Sequence, residues 1–478
     1  MIGQRVSRRL VLQVAAFGGL GLALAACGAT PAPTTAAATP VAAPTDTPAP
    51  IQPTATATAA TAAPGVAGST KSKITYGTFA EASQLEGMTK ITNRFAEVNP
   101  QFEVEIQEKP WGQYWEALEV QVAGGAPPDV SWITPNYAYH FFKTGHLVDV
   151  TDLIQKDQIN VSDYVGEIME AKFEGRYYGM PYGNGVMVWI YNKDLFDEAG
   201  VSYPTQDWGW DEFRDAAKKL TKEENGQKVR WGLDMGGWWE NYAAIPLGNG
   251  ICEFTGGVFT DKGGYFDTSK PIKAAVNDPK FVQAMTWIEE NICREGITPK
   301  SGEVTLAPGI ETAFDGKVVG IAPSGSWEIA AHRKVQFNWD LCLVPKCPKT
   351  GQRRTTTYAL PHAILKGCKN LDGAWAFIKW HAQQEAQEML AVSGVKDPML
   401  KTALDKLSGT PEHFKDMLME HYLNYNWNMS TMVFDGQPEA EAEISSKLDY
   451  IWTCERKYAD LAPELEQSVN AILEQKTG

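Results

Sequence analysis

Positive charge is scarce in this 478-residue chain, and the short local signatures of hydrolytic or metal chemistry are missing. Basic residues number 43 against 58 acidic ones, a formal net charge of -15. Three of the arginines fall in the first 26 residues, which contain no acid; the rest of the chain sets 40 basic against 58 acidic side chains, a net -18. A surplus of that sign argues against nucleic acid or an anionic bilayer surface as the main partner and is compatible with a neutral or cationic ligand. No G-x-S-x-G or H-E-x-x-H occurs, so no nucleophile elbow or zinc-hydrolase helix can be read from the sequence. Cys342 and Cys347 lack the close Cys or His partners of a zinc site, and no metal is expected. From Gly28 to Thr70 the chain has no aromatic and one charge, Asp46. A tract of Ala, Thr and Pro cannot bury enough apolar surface to offset its ordering entropy, so it is expected to stay extended.

Ahead of that tract, Arg8 and Arg9 lead an apolar run from Leu10 to Ala26 broken only by Gln13. A basic n-region followed by an h-region of this length reads as a secretory signal over residues 1–26; the twin arginines point to the Tat route, with Sec left open. The run is short and glycine-rich for a membrane span. Leu24-Ala25-Ala26-Cys27 resembles a bacterial lipobox, in which Cys27 is lipidated and becomes the mature N-terminus. Residues 27–72 then form a tether that holds a folded body on the extracellular or periplasmic side of the cell membrane.

The body is 44% hydrophobic and 11% aromatic by whole-chain composition, that of a globular protein of two or three domains. Six cysteines remain beyond the anchor (Cys252, Cys293, Cys342, Cys347, Cys368, Cys454). In an exported chain an even set admits disulfides in 15 possible pairings, and buried free thiols are a serious alternative, since a body of this size needs no staples. The spacing predicts a strand at 73–79 and a helix carrying Leu85, Met88, Ile91, Phe95 and Val98. An alternating strand at 102–107, a helix stopped by Gly124 and Gly125, and a strand in "PPDVSWI" follow. Strand and helix in alternation mean an α/β fold with a parallel sheet, whose ligands sit outside the carboxyl ends of the strands. The loops "FAEAS" (79–83) and "TPNYAY" (134–139) are therefore site candidates, and "PYGNG" (181–185) reads as a flexible segment suited to a crossover. Trp111, Trp189, Trp231, Trp287, Trp375 and Trp380 lie in periodic segments and are assigned to cores. "MGGWWENY" (235–242) is different: adjacent side chains diverge, so Trp238 and Trp239 can hardly fill one pocket.

In order, "GGAPPDVSWI", "GHLVDVTD", "YYGMPY", "IYNKDLFDEAGV", "WGWDEF", "AFDGKVVGIAPSGSWEI" and "FNWDLCLVPK" resemble the family 1 extracellular solute-binding proteins, the substrate receptors of bacterial ABC importers typified by maltose-binding proteins. The resemblance covers the body from about Lys73 to the end. It implies a two-lobed, type II periplasmic-binding-protein-like α/β fold with hinge crossovers and an interlobe ligand cleft: lobe I from 73–183 and 345–384, lobe II from 184–344 and 385–478. It also implies a monomer that hands a sugar or oligosaccharide to the transmembrane subunits of an ABC permease, needing no catalytic residue and no cofactor. Trp327 matches the family's Gly-x-Trp, whose indole stacks on ligand; Trp238, Trp239 and Glu240 match a cleft loop of the second lobe. Asn136, Tyr137 and Glu81 match first-lobe loops, Tyr182 and Asn184 the crossover, and Trp427 a late segment that returns to the cleft. Asn136, Tyr137 and Gly185 stand where maltose-type receptors present charged groups, which argues against maltose itself. The rival classes are a same-fold receptor for a polyamine or phosphodiester, and a glycoside-acting enzyme using Glu81, Glu240 or Glu328. An anionic ligand is disfavoured because the candidate loops are poor in Arg and Lys. The anchor is directly testable: Cys27→Ser should move the protein from the membrane to the soluble fraction and remove the lipid mass from its N-terminus.

Overall fold

The computed structural model describes residues 71–79, 82–165, 171–235, 266–267, 272–308, 310, 312–346, 355–407, 426–428 and 436–477. Cys27, the tether, Glu81, Trp238, Trp239 and Glu240 lie outside the described residues, as do the side chains of Asn136, Trp111 and Trp427.

Ten strands form the main sheet: β1 (Ser72–Phe79), β2 (Phe102–Lys109), β3 (Val130–Trp132), β4 (Met180–Asn192), β5 (Gln227–Leu233), β6 (Val319–Gly325), β7 (Trp339–Cys342), β8 (Thr355–Ile364), β9 (Asn426–Asn428) and a short edge strand, Lys222–Glu224, paired to β5. β1 pairs in parallel with β2 and β3, as right-handed strand–helix–strand units require, and their helices are Ala82–Val98 and Trp111–Ala123. The sheet then runs on through β8, β4, β6 and β5, with β7 also paired to β4 and β9 to β8.

β4 joins the two halves. Its first part, Met180 to Val186, pairs antiparallel with β8, while Met187 to Asn192 pair antiparallel with β6 and β7. All thirteen residues are buried. Because successive side chains point to opposite faces, Val186, Val188 and Ile190 enter one core with Trp231, Phe314 and Leu341. Met187, Trp189 and Tyr191 enter another with Phe196, Trp210, Phe213 and Met285. A third core, built on Ile74, Tyr76, Phe95, Trp132, Phe141, Ile364 and Phe377, belongs to the β1–β3 end of the sheet.

Three expectations change here. "PYGNG" is a buried strand segment rather than a flexible one. Gly183 is required by close approach, since a Cβ there would sit 2.6 Å from Cβ of Lys396. "TPNYAY" is the start of the helix Pro135–Lys143, entered through Thr134 with proline at its first turn, where a missing N–H costs nothing. Finally, Ala386, Leu390, Val395 and Met399 pack in the β1–β3 core, so the first lobe's packing continues past residue 384, where the sequence placed the boundary. The buried amide of Gln387 explains this: its Nε2 donates to the carbonyls of Tyr182 (2.7 Å) and His381 (2.8 Å), and its Oε1 accepts from Met399 N (2.7 Å) and Leu400 N (3.1 Å). Trp189, Trp231, Trp287, Trp375 and Trp380 are buried, as their periodicity implies.

Cys293 and Cys454 form a disulfide across 161 residues, tying the end of the helix Pro279–Cys293 to the turn after Gln437–Trp452. Closing so long a loop restricts the unfolded chain. The double variant Cys293→Ser/Cys454→Ser should lose about 3–5 kcal/mol in urea unfolding; an unchanged midpoint would contradict this.

Candidate functional site

The carboxyl ends of β1 and β3 deliver Phe79 and Trp132 to the same end of the sheet, where their rings meet edge to face (4.9 Å, 74°). Phe79 also touches Trp115 (5.9 Å), and Trp115 stacks flat on Tyr137 (3.8 Å, 4°). The result is a row of aromatic rings along one wall. Trp132 is locked by its indole N–H, which donates to His362 Nε2 (2.7 Å); the Tyr76 hydroxyl donates to the same nitrogen (2.8 Å). A nitrogen that accepts twice carries no proton, so His362 is neutral with its proton on Nδ1. Burial holds it well below its usual range, and His381 beside it is pushed down to about 4.

The facing wall comes from the turn Ser326–Glu328 after β6. Its indole, Trp327, folds back over Gly325, and a Cβ at 325 would fall inside the ring, so the glycine of Gly-x-Trp is a steric requirement. Beneath it the turn is held by a buried chain of hydrogen bonds. Ser324 Oγ contacts Glu328 Oε2 (2.8 Å) and His332 Nε2 (2.9 Å), and His332 Nδ1 contacts Asp315 Oδ1 (2.8 Å). Burial raises the Glu328 carboxyl above its ordinary range. This has the connectivity of a Ser–His–Asp triad, but Ser324 is only 1% exposed. A nucleophile must reach its substrate. Enclosed in this way, the chain of bonds can orient Trp327 but not attack a ligand.

The two walls are in contact. Gln84 Nε2, on the first, donates to the Trp327 carbonyl (3.3 Å). The segment Val395–Asp397 is bonded to both: Asp397 exchanges backbone hydrogen bonds with Asn184 of β4 (2.8 and 3.0 Å) while its carboxylate accepts from Ser326 Oγ. Ser326 Oγ in turn accepts from Val186 N (3.2 Å). Lys396 between these contacts is buried, its ammonium 5.7 Å from the Trp132 ring centroid and 5.2 Å from that of Trp327. The sequence reading missed Lys396 and Asp397, because they follow the helix Gln384–Ser393 and belong to no strand-end loop. A buried basic side chain between these walls also removes the stated ground for disfavouring an anionic ligand.

Among the residues singled out from sequence, Trp327 and Tyr137 stand on opposite walls. Tyr182 is in the third core, packed on His362 (4.3 Å) and Trp132 (4.7 Å), its hydroxyl without a hydrogen-bond partner among the described residues. Asn184 lies in β4, its amide oxygen accepting from Gly185 N (2.8 Å). The backbone of Asn136 is helical and that of Trp427 pairs with Thr356 of β8. A further acid, unmarked in the sequence, is Glu441 of the helix Gln437–Trp452. Its carboxyl is pushed up to about 7, chiefly by burial, and its charge helps raise the Tyr137 phenol above the ordinary range.

The family model for bacterial extracellular solute-binding proteins matches residues 81–388. The chain belongs to that family. The maltotriose-binding protein of Pyrococcus abyssi is 22% identical over 333 residues, 68% of this chain and 66% of the relative. A diacetylchitobiose-binding protein of Streptomyces coelicolor is 23% identical over 321 residues, 66% of this chain and 70% of the relative. A solved ABC substrate-binding protein of Listeria monocytogenes, in complex with cycloalternan, superposes with a TM-score of 0.72 at 22% identity, covering 85% of this chain and all of its own. The fold is therefore the two-lobed α/β architecture of this family, and the two aromatic walls belong to a solute-binding protein. No described helix is long and apolar enough to cross a membrane.

Glu441 gives the solute-binding protein a measurable pH signature. A carboxyl raised above its unfolded value favours the protonated native state, so its contribution falls as pH rises from about 4.3 to 7 and stays low above that. The described groups that face it are Gln437 on its own helix and Tyr137 opposite. Glu441→Gln, an uncharged near-isostere, should raise stability at pH 8 by up to about 3 kcal/mol and change little at pH 4.5. Equal gains at both pH values in chemical denaturation would refute this.

Proposed function

We propose that the protein is a lipid-anchored, extracytoplasmic receptor that captures a sugar or oligosaccharide between its lobes and delivers it to an ABC permease. The observation that carries this is the pair of facing aromatic walls, Trp327 on one side and the Tyr137–Trp115–Phe79–Trp132 row on the other. A pyranose offers a C–H face to an aromatic ring and hydroxyls at its rim to polar side chains, and here Gln84, Tyr137, Lys396 and Glu441 are the polar groups at hand. The names of the relatives, which bind maltotriose, diacetylchitobiose and cycloalternan, support the same class.

Capture proceeds without turnover. Ligand touching both walls stabilises the closed arrangement by its differential affinity, and β4 with the Asp397 contacts is where the lobes turn. We place the lobe division at the change of β4 partners, between Val186 and Met187. Trp238, Trp239, Glu240, Glu81, Asn136 and Trp427 remain proposed contributors, and Cys27 the proposed anchor.

A tryptophan-fluorescence or calorimetric screen of sugars should give roughly micromolar affinity, about −8 kcal/mol. Trp327→Ala should weaken the best sugar at least tenfold, about 1.4 kcal/mol. A loss of less than threefold would remove Trp327 from the site, and an unchanged scattering radius at saturation would argue against closure.

A further inference from the structure

The helix Gln437–Trp452 carries, near Tyr137, a pair of buried hydrogen-bond acceptors whose role goes beyond general sugar capture. Gln437 and Glu441 lie one turn apart and both are buried. Gln437 Nε2 donates to Glu441 Oε1 (2.8 Å), which turns the amide oxygen of Gln437 away; that oxygen is buried with no hydrogen-bond partner among the described residues. A buried acceptor left unmet costs free energy, so its presence points to a group that arrives from outside. Opposite stands Tyr137, close enough for its phenol to feel the Glu441 charge, its ring stacked on Trp115. The adjoining flank of the helix is already neutralised: Glu439 is exposed and paired with Lys476 (2.6 Å).

We infer that this end of the cleft binds the ammonium of an amino sugar, with Glu441 as its counter-ion, the Gln437 oxygen as a second acceptor and Tyr137 beside it. The inference rests on the sugar reading above and names the class of sugar. An ammonium has donors only and so meets acceptors that a hydroxyl, which also presents lone pairs, satisfies less completely. Charge-assisted bonds to a carboxylate are about twice as strong as neutral ones, and an aromatic neighbour adds attraction for a cation. Acetylation of the amine removes the charge and adds a methyl group against polar atoms. The acidic body, net -18 without its first 26 residues, steers a cation toward the cleft rather than away from it. Binding an ammonium also favours ionised Glu441, so the affinity should rise with pH up to about 7, until the ligand's own amine loses its proton.

The test is calorimetry on the mature chain with glucosamine, galactosamine and the β-1,4-linked glucosamine disaccharide. Their N-acetylated counterparts, the neutral hexoses and disaccharide, and spermidine as an amine without a sugar complete the set. The free amino sugar should bind at least tenfold more tightly than its acetylated and neutral counterparts. Glu441→Gln should reduce that preference below threefold, with a thermal transition no lower than the parent's, so that the loss is one of selectivity and not of folding. A parent protein that prefers the neutral or acetylated sugar, or a variant that keeps the preference, overturns the inference but leaves the sugar receptor standing. Spermidine bound more tightly than every sugar overturns the assignment to an amino sugar, and no binding of any sugar overturns the sugar reading itself.

Discussion

A strand that joins the two halves of one sheet constrains everything else in this molecule. β4 must present hydrogen bonds to β8 over its first half and to β6 and β7 over its second, so its direction and register are set from both ends. A slip of one residue would turn Val186, Val188 and Ile190 into the core now filled by Met187, Trp189 and Tyr191, exchanging β-branched for larger side chains. The register of the strand is therefore fixed on both sides of the change of partners. Gly183 and Gly185 sit there, and at Gly183 the absence of a side chain serves packing against Lys396 rather than looseness.

The contacts around that junction explain why the cleft is a defined site and not merely a gap. Asp397 reads the backbone of β4 through Asn184 and holds Ser326, next to Trp327. Gln387 fixes the segment from the other side, its amide bonded to Tyr182 of β4, to His381 and to residues 399–400. The Trp327 turn is thus tied to the backbone of β4 through Ser326 and Asp397. Ser324, His332, Asp315 and Glu328 add stiffness below the turn. Their triad-like connectivity shows why residue identity and distance alone do not make a catalyst: the same bonds, enclosed, hold a binding platform in place.

Much of the first half was legible because its signals are local. Periodicity placed β1, β2 and their helices to within a few residues, and the buried tryptophans at 189, 231, 287, 375 and 380 followed from the same pattern. Gly-x-Trp could be recognised because a steric rule acts over two residues. "PYGNG" was misread for a physical reason: glycine permits looseness and also permits close approach, and only the presence of Lys396 distinguishes them.

Lys396, Asp397, Gln437 and Glu441 had no comparable signal. Each is an ordinary polar residue in or beside a helix, and its importance arises from partners far along the chain: Ser326 is 71 residues from Asp397. By itself the sequence determined the alternation of strands and helices, the family, the candidate anchor and Trp327 as a candidate platform, all of which depend on neighbours within a few residues or on ordered motifs. The tertiary structure alone decided which polar groups lie beside those rings and that Cys293 joins Cys454. Those properties are set by backbones and side chains that meet only after the chain has returned to β4, and pairings over such distances leave no periodicity to read.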